Sequence, residues 1–266
     1  MYPGVFLAKK KDGSIYYRSS FTYKSKHISL GSFSTEKLAH KAYLEAVQLT
    51  SSPKAITIAD YNRKKRVLSF EKWVVLINFK DNGMYFKNPI YLRPKYFEYY
   101  LDGDPFSPLK FDVDDLFFYS THKIMRRGGH LFVADYGMQL NILNRYGIKN
   151  FAVPGKDYIF VNNDNTDYRY QNIKIINRYN GVSIEEKPGS QPIYVSKIHV
   201  NGDYIIGRYK TDVEAAVAYN KAVDRLLSNG FTINYQQNYI DSLNSKQYST
   251  IYEEIKLPKK LRVLRP

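Results

Sequence analysis

One plan is written twice in this chain of 266 residues, once near each end. Residues 4–47 and 181–223 both open with Gly-Val, as Gly4-Val5 and Gly181-Val182. Each continues into an extended Tyr-led run, Tyr17 to Tyr23 and Tyr194 to Val200. A turn follows, Lys24-Ser25-Lys26 in the first copy and Asn201-Gly202 in the second. Asn-Gly is a strong hairpin signal because both residues tolerate positive φ. A short strand then ends in Leu30-Gly31-Ser32-Phe33 or Ile206-Gly207-Arg208-Tyr209. The copies are offset by 177 positions through the second strand and 176 afterwards, so the second hairpin is one residue shorter. Whatever one copy folds into, the other is expected to repeat.

Each copy next predicts a helix. Thr35 and Thr211 stand at N-cap positions, with Glu36 and Asp212 behind them, where the helix dipole favours negative charge. Apolar residues recur at Ala39, Ala42, Tyr43, Ala46 and Val47, and at Ala215, Ala218, Tyr219, Ala222 and Val223. This is the spacing of one buried helical stripe, and its alanines let the helix lie close to a sheet. Each copy therefore reads as three antiparallel strands backed by one amphipathic helix. On the second strand of the first copy, Tyr17, Ser19, Phe21 and Tyr23 suit the helix side, which leaves Arg18, Ser20, Thr22 and Lys24 facing out. The neighbouring strands add Lys10, His27 and Ser29 to that face. A flat polar and basic sheet face can enter the major groove of DNA, which is wide enough for strands.

Charge points the same way. A net charge of +15 and an isoelectric point near 9.6 imply a polyanionic partner. Residues 1–72 hold 14 Lys/Arg against 5 Asp/Glu, whereas 73–178 hold 14 against 11 and 179–266 hold 12 against 9. The first segment is thus expected to grip phosphate hardest. The 26 tyrosines favour half-buried sheet surfaces. The absence of cysteine excludes disulfides, thiolate zinc sites and cysteine nucleophiles. No apolar run reaches the length of about 18 residues that spans a bilayer, and Met-Tyr-Pro-Gly-Val lacks the regions of a signal peptide. The expected location is the cytoplasm of the host cell, with the nucleoid, and no membrane partner is expected.

The opening Gly-Val, the aromatic second strand, the Leu-Gly-Ser-Phe and Ile-Gly-Arg-Tyr turns and the Ala/Tyr-rich helix resemble the APETALA-type, or ethylene-response-factor, DNA-binding domain. The likeness covers about 45 residues at each end. It implies double-stranded DNA as the partner and base and phosphate contacts from the outward sheet residues. Those would be Lys10, Arg18, Ser20, Thr22, Lys24, His27 and Ser29 in the first copy and Ser183, Lys197, His199 and Asn201 in the second. This chain departs from the family at Phe6 and Ala8, where arginines are usual, and at Glu185 and Asp203, which put acid on the presumed DNA side.

Strand-like runs mark the middle: Trp73 to Phe79, His130 to Ala134 and Tyr158 to Val161. The stretch Phe160 to Ile173, through Asn163, Asp164, Asp167, Tyr168, Arg169 and Asn172, resembles the end of an HNH homing-type endonuclease. That family shares chains with APETALA-type modules. Its chemistry needs a histidine base and side chains that hold a divalent metal. Asn163, or Phe160 in an ungapped alignment, stands in the histidine's place, and Tyr168 replaces the metal-site Asn. The resemblance then implies a degenerate nuclease without catalytic residues, metal or cofactor, and three roles stand open for it: contact with DNA backbone through Arg126, Arg127, Arg145 or Arg169, spacing of the end modules, or binding of a partner protein.

The expected organisation is α+β: an APETALA-like module over 1–60, a basic linker over 61–72, an HNH-like ββα domain over 73–178, a second module over 179–235 and a C-terminal helix with a basic tail over 236–266. The expected function is a sequence-specific transcriptional regulator of phage or mobile-element origin. Two other readings stand beside it. One is a working nuclease that uses Asp112, Asp114, Asp115, His122 or His130. The other is a protein-binding inhibitor of a DNA-acting machine, in which a protein partner or a second copy of the chain takes the place of DNA.

Overall fold

The computed structural model describes residues 1–150, 152–232 and 234–266. It is an α+β protein whose chain divides into two units, residues 1–140 with 164–172, and residues 141–163 with 173–266.

The first unit opens with β1 (Val5–Lys9), β2 (Ile15–Tyr23) and β3 (Lys26–Phe33), an antiparallel sheet in that order. Helix α1 (Glu36–Ser51) follows, capped by the Thr35 hydroxyl, which accepts from the Leu38 N–H. Ala39, Ala42 and Ala46 are buried against the sheet, as their spacing predicts. Gly4 explains the Gly-Val opening. It sits at φ +72°, and a Cβ there would lie 2.1 Å from the Tyr43 ring. Only glycine admits both that conformation and that approach.

The expected strand over Trp73 to Phe79 is instead part of helix α2 (Phe70–Asn82). An apolar run buried on every side has no period, so periodicity cannot tell strand from helix. The end signals decide it. The Ser69 hydroxyl accepts from the Lys72 N–H, and Gly83 closes the helix at φ +71°. Trp73, Leu76 and Ile77 join Phe21, Ile28 and Leu49 in one core.

Nor do residues 61–72 hang free as a linker. The buried Glu45 carboxylate accepts from the N–H groups of Val67 and Leu68 at 3.0–3.1 Å, and Arg66 lies over the Trp73 ring. Lys80 donates to the Ile56 carbonyl at 3.2 Å, and the Trp73 indole N–H donates to Thr57.

The rest of this unit comprises a second sheet, β4 (Ile90–Leu92), β5 (Tyr96–Tyr99) and β6 (Leu109–Asp112), then α3 (Leu116–Thr121), then a third sheet, β7 (Ile124–Arg127), β8 (His130–Asp135) and β9 (Met138–Asn141). Residues 164–172 return alongside β6. The Lys110 N–H donates to the Thr166 carbonyl, and the Tyr168 N–H donates to the Lys110 carbonyl, both at 2.8 Å.

In the second unit β10 (Tyr158–Phe160) pairs with β11 (Ile173–Ile175). The helix expected to complete a ββα motif does not follow. Asn177, Asn180 and Gly181 favour turns over helix, and the chain runs on into a strand. That strand is β12 (Val182–Glu185), which with β13 (Ile193–His199) and β14 (Asp203–Tyr209) forms the second repeat's sheet, followed by α4 (Asp212–Ser228). The repeat is faithful in detail. Gly181 sits at φ +69° with Tyr219 where Tyr43 stands, Thr211 caps α4, and a bulge interrupts the register at Ser196/Lys197 as it does at Ser19/Ser20.

Two more helices, α5 (Ser245–Glu254) and α6 (Lys259–Val263), pack on α4. The basic run at 258–262 is therefore not a loose tail, because Leu261 is buried in this core. Lys221 secures the end of α5 by donating to the carbonyls of Tyr252 and Ile255.

Candidate nucleic-acid interface

The outer face of the first sheet consists of side chains that alternate away from α1. Arg18 stands at its centre on β2, opposite Phe6 on β1 and Ser32 on β3. Arg18 and Ser32 are exposed, and Phe6 is 50% exposed. The next outward pair on β2 and β3 is Thr22 with His27, whose hydroxyl and Nδ1 approach to 3.5 Å, and Ser29 lies exposed beside them. Lys10 stands exposed at the end of β1, where its backbone N–H closes the turn onto Ser14. Among the described residues neither Arg18 nor Lys10 has a carboxylate partner. Asp12 turns to its own loop and accepts from the Ser14 N–H and hydroxyl, which lowers its carboxyl below the usual range.

Two expected members of this face are placed differently. Ser20 points outward but is only 9% exposed. It pairs with Ser29, and its N–H donates to Gly4 on the other side, so a side chain this short stays below its neighbours. Lys24 leaves the sheet. At φ +44° it is the first turn residue, so strand alternation does not apply to it. Its ammonium lies over the Tyr23 and Phe79 rings and donates to the Lys80 carbonyl at 3.5 Å.

On the second sheet the corresponding face is partly closed and partly neutralised. Val195 stands where Arg18 does, between Ser183 and Arg208, and is fully buried, with Ser183 half-buried. Arg208 pairs with Glu185 at 3.4 Å, and His199 with Asp203 at 2.8 Å. Lys197 remains exposed, as does Asn201, which holds the turn at φ +50°. Exposed pairs such as these contribute little stability, but Glu185 and Asp203 bring negative charge to the face.

In the middle segment, Arg126 is paired with Asp102 at 2.8 Å, and Arg127 is exposed beside the Gly128-Gly129 turn. The residues that carry the nuclease resemblance hold 164–172 in place. Arg169 grips Asp167 through two hydrogen bonds of 2.8 and 2.6 Å and lies over the Tyr96 ring. Asn172 donates to the Asp167 carbonyl, and Tyr168 stacks on Phe111. Lys110 meets Asp164 at 2.7 Å, and this bond, with that from Thr166, draws the Asp164 carboxyl down to about 2. Arg169 is therefore committed to Asp167, and a phosphate would have to compete for it.

The carboxylates that might rebuild a metal site are likewise placed in the fold. Asp112 accepts from the Tyr170 N–H at 2.7 Å, and Asp115 is buried near the Tyr170 hydroxyl. His122 stacks on Phe118 and reaches Asp135 at 3.4 Å, whereas His130 is exposed on β8. Among the described residues no group of three or more His, Asp or Glu side chains converges as metal ligands do. No helix among them is long and apolar enough to cross a membrane.

No protein-family model, curated protein or solved structure matches this chain.

Proposed function

We propose that this protein binds double-stranded DNA, with the outer face of the first sheet as its principal contact. One observation carries the reading. Arg18 stands exposed at the centre of a sheet face that also carries Lys10, Thr22, His27 and Ser29, and among the described residues it has no carboxylate partner. A guanidinium so presented can reach guanine O6 and N7 in a bidentate contact, and hydroxyls and ammonium groups can hold phosphate. The second module adds Lys197 and Asn201 on the same chain, a weaker contact that raises the overall affinity by proximity.

The APETALA-type resemblance agrees with this arrangement, since it implies a three-stranded sheet presented to DNA and a helix behind it. We read the protein as a regulator of phage or mobile-element descent, derived from a homing endonuclease that lost catalysis. This part is supported by the tie of Asp167, Arg169 and Asn172 to one another in holding residues 164–172.

Titration of a labelled duplex from a selected oligonucleotide pool tests the reading. The wild-type chain is expected to bind, and Arg18→Ala to weaken binding by about tenfold. Equal binding by the two proteins would contradict it, as would nicking of a plasmid in magnesium or manganese that His122→Ala or His130→Ala abolishes.

A further inference from the structure

The first unit contains a cleft of about 710 Å³ that the sheet face does not use. It is lined by the start of α2, the turn at 101–103, strand β7 and Arg63. Four cationic side chains line it, Arg63, Lys123, Arg126 and Arg127, against two carboxylates, Glu71 and Asp102. Both carboxylates are already engaged, Glu71 by Lys123 at 2.7 Å and Asp102 by Arg126 at 2.8 Å. Among the described residues Arg63 and Arg127 have no carboxylate partner, so the cleft carries two uncompensated guanidinium groups. Phe132, half-buried and on the same face of the β7–β8 pair as Met125 and Arg127, gives its wall an aromatic ring, and Gln139 adds a side-chain amide.

Two guanidiniums without carboxylate partners among the described residues, an aromatic ring and an amide form a recognisable set. The arginines suit a phosphate, the aromatic side chain suits a planar ring, and the amide can both donate to and accept from a base edge. A bare anion would make no use of the aromatic ring, and a hydrocarbon chain would leave the arginines unpaired. We propose that this cleft binds a nucleotide, with the phosphate held by Arg63 and Arg127 and the base laid against Phe132. The nucleotide is either free or a single unpaired unit of a strand. The proposal does not depend on the sheet face contacting duplex DNA.

The full-length chain is titrated with AMP, with a single-stranded dA tetranucleotide and with inorganic phosphate. AMP or the tetranucleotide is expected to bind, and the doubly substituted Arg63→Ala/Arg127→Ala protein to lose about tenfold or more of that affinity. AMP binding identifies a free nucleotide as sufficient, and binding of the tetranucleotide alone identifies a strand. Phe132→Leu is expected to weaken AMP more than phosphate. The proposal is overturned if neither nucleotide probe binds, if the double substitution leaves their binding unchanged, or if phosphate binds as tightly as AMP. Arg18→Ala separates the two sites, because it is expected to leave AMP binding intact while weakening duplex binding.

Discussion

The two terminal modules share a skeleton and differ in what they present. Each has a positive-φ glycine under a helical tyrosine, a Thr-capped helix and a bulged central strand. These features solve backbone problems common to both copies. The outer faces differ. The first presents Arg18, which has no carboxylate partner among the described residues, and the second has a buried valine at that place, with an Arg208–Glu185 ion pair and a His199–Asp203 hydrogen bond beside it. The helices also diverge at one equivalent position, where α1 carries Glu45 and α4 carries Lys221. Glu45 accepts from the N–H groups that lead into α2, and Lys221 donates to the carbonyls that end α5. Each copy thus fixes the segment that follows it, with the charge that suits the end it holds. The repeat preserves what folds the module and varies what its outer face presents.

That contrast is open to direct attack. The shared skeleton makes Gly4→Ala and Gly181→Ala the most damaging changes, each expected to cost about 3 kcal/mol or more, because a Cβ meets a tyrosine ring while the backbone is held at positive φ. Chemical denaturation measures this, and a loss confined to one copy would break the equivalence. Glu45→Gln is expected to destabilise by about 2 kcal/mol, since a neutral amide accepts only weakly from the Val67 and Leu68 N–H groups. Lowering of the denaturation midpoint reports it. On the second face, Asp203→Asn frees His199 and removes an acid from the field, so duplex affinity is expected to rise two- to threefold, about 0.5 kcal/mol.

Another effect lies outside the modules. Asp164 has its folded value drawn down to about 2, so its contribution is complete above the ordinary carboxylate value of about 3.9 and is lost as pH falls from there towards 2. Wild type is expected to lose stability over that window, and Asp164→Asn to lose less, as read by thermal unfolding at several acid pH values.

The modules were legible in the sequence because their signals are local and repeated. Thr35 and Thr211, the alanine stripes and the Gly-Val openings each state a backbone requirement within a few residues. Helix α2 was not, since a run buried on all sides has no period, and only Ser69 and Gly83 betray it. The outer sheet face was legible in part. Arg18, Thr22, His27 and Ser29 follow strand alternation, and the structure places them on one face. Lys24 departs because it is the first residue of the turn, where strand alternation no longer applies. The burial of Val195 and the pairing of Arg126 with Asp102 depend on residues distant in sequence, and no short-range pattern records them. The cleft at Arg63 and Arg127 escaped notice for the same reason, since 64 positions separate the two arginines.

The most direct test is the salt dependence of duplex affinity in wild type and Arg18→Ala, read by fluorescence anisotropy from low to physiological salt. If the open face meets DNA as proposed, log affinity falls linearly with log salt, and the substitution, which removes a base contact rather than a phosphate contact, lowers the line at every salt concentration with little change of slope. A salt-independent wild-type affinity, or superimposable lines for the two proteins, would place any DNA contact elsewhere than on the first sheet.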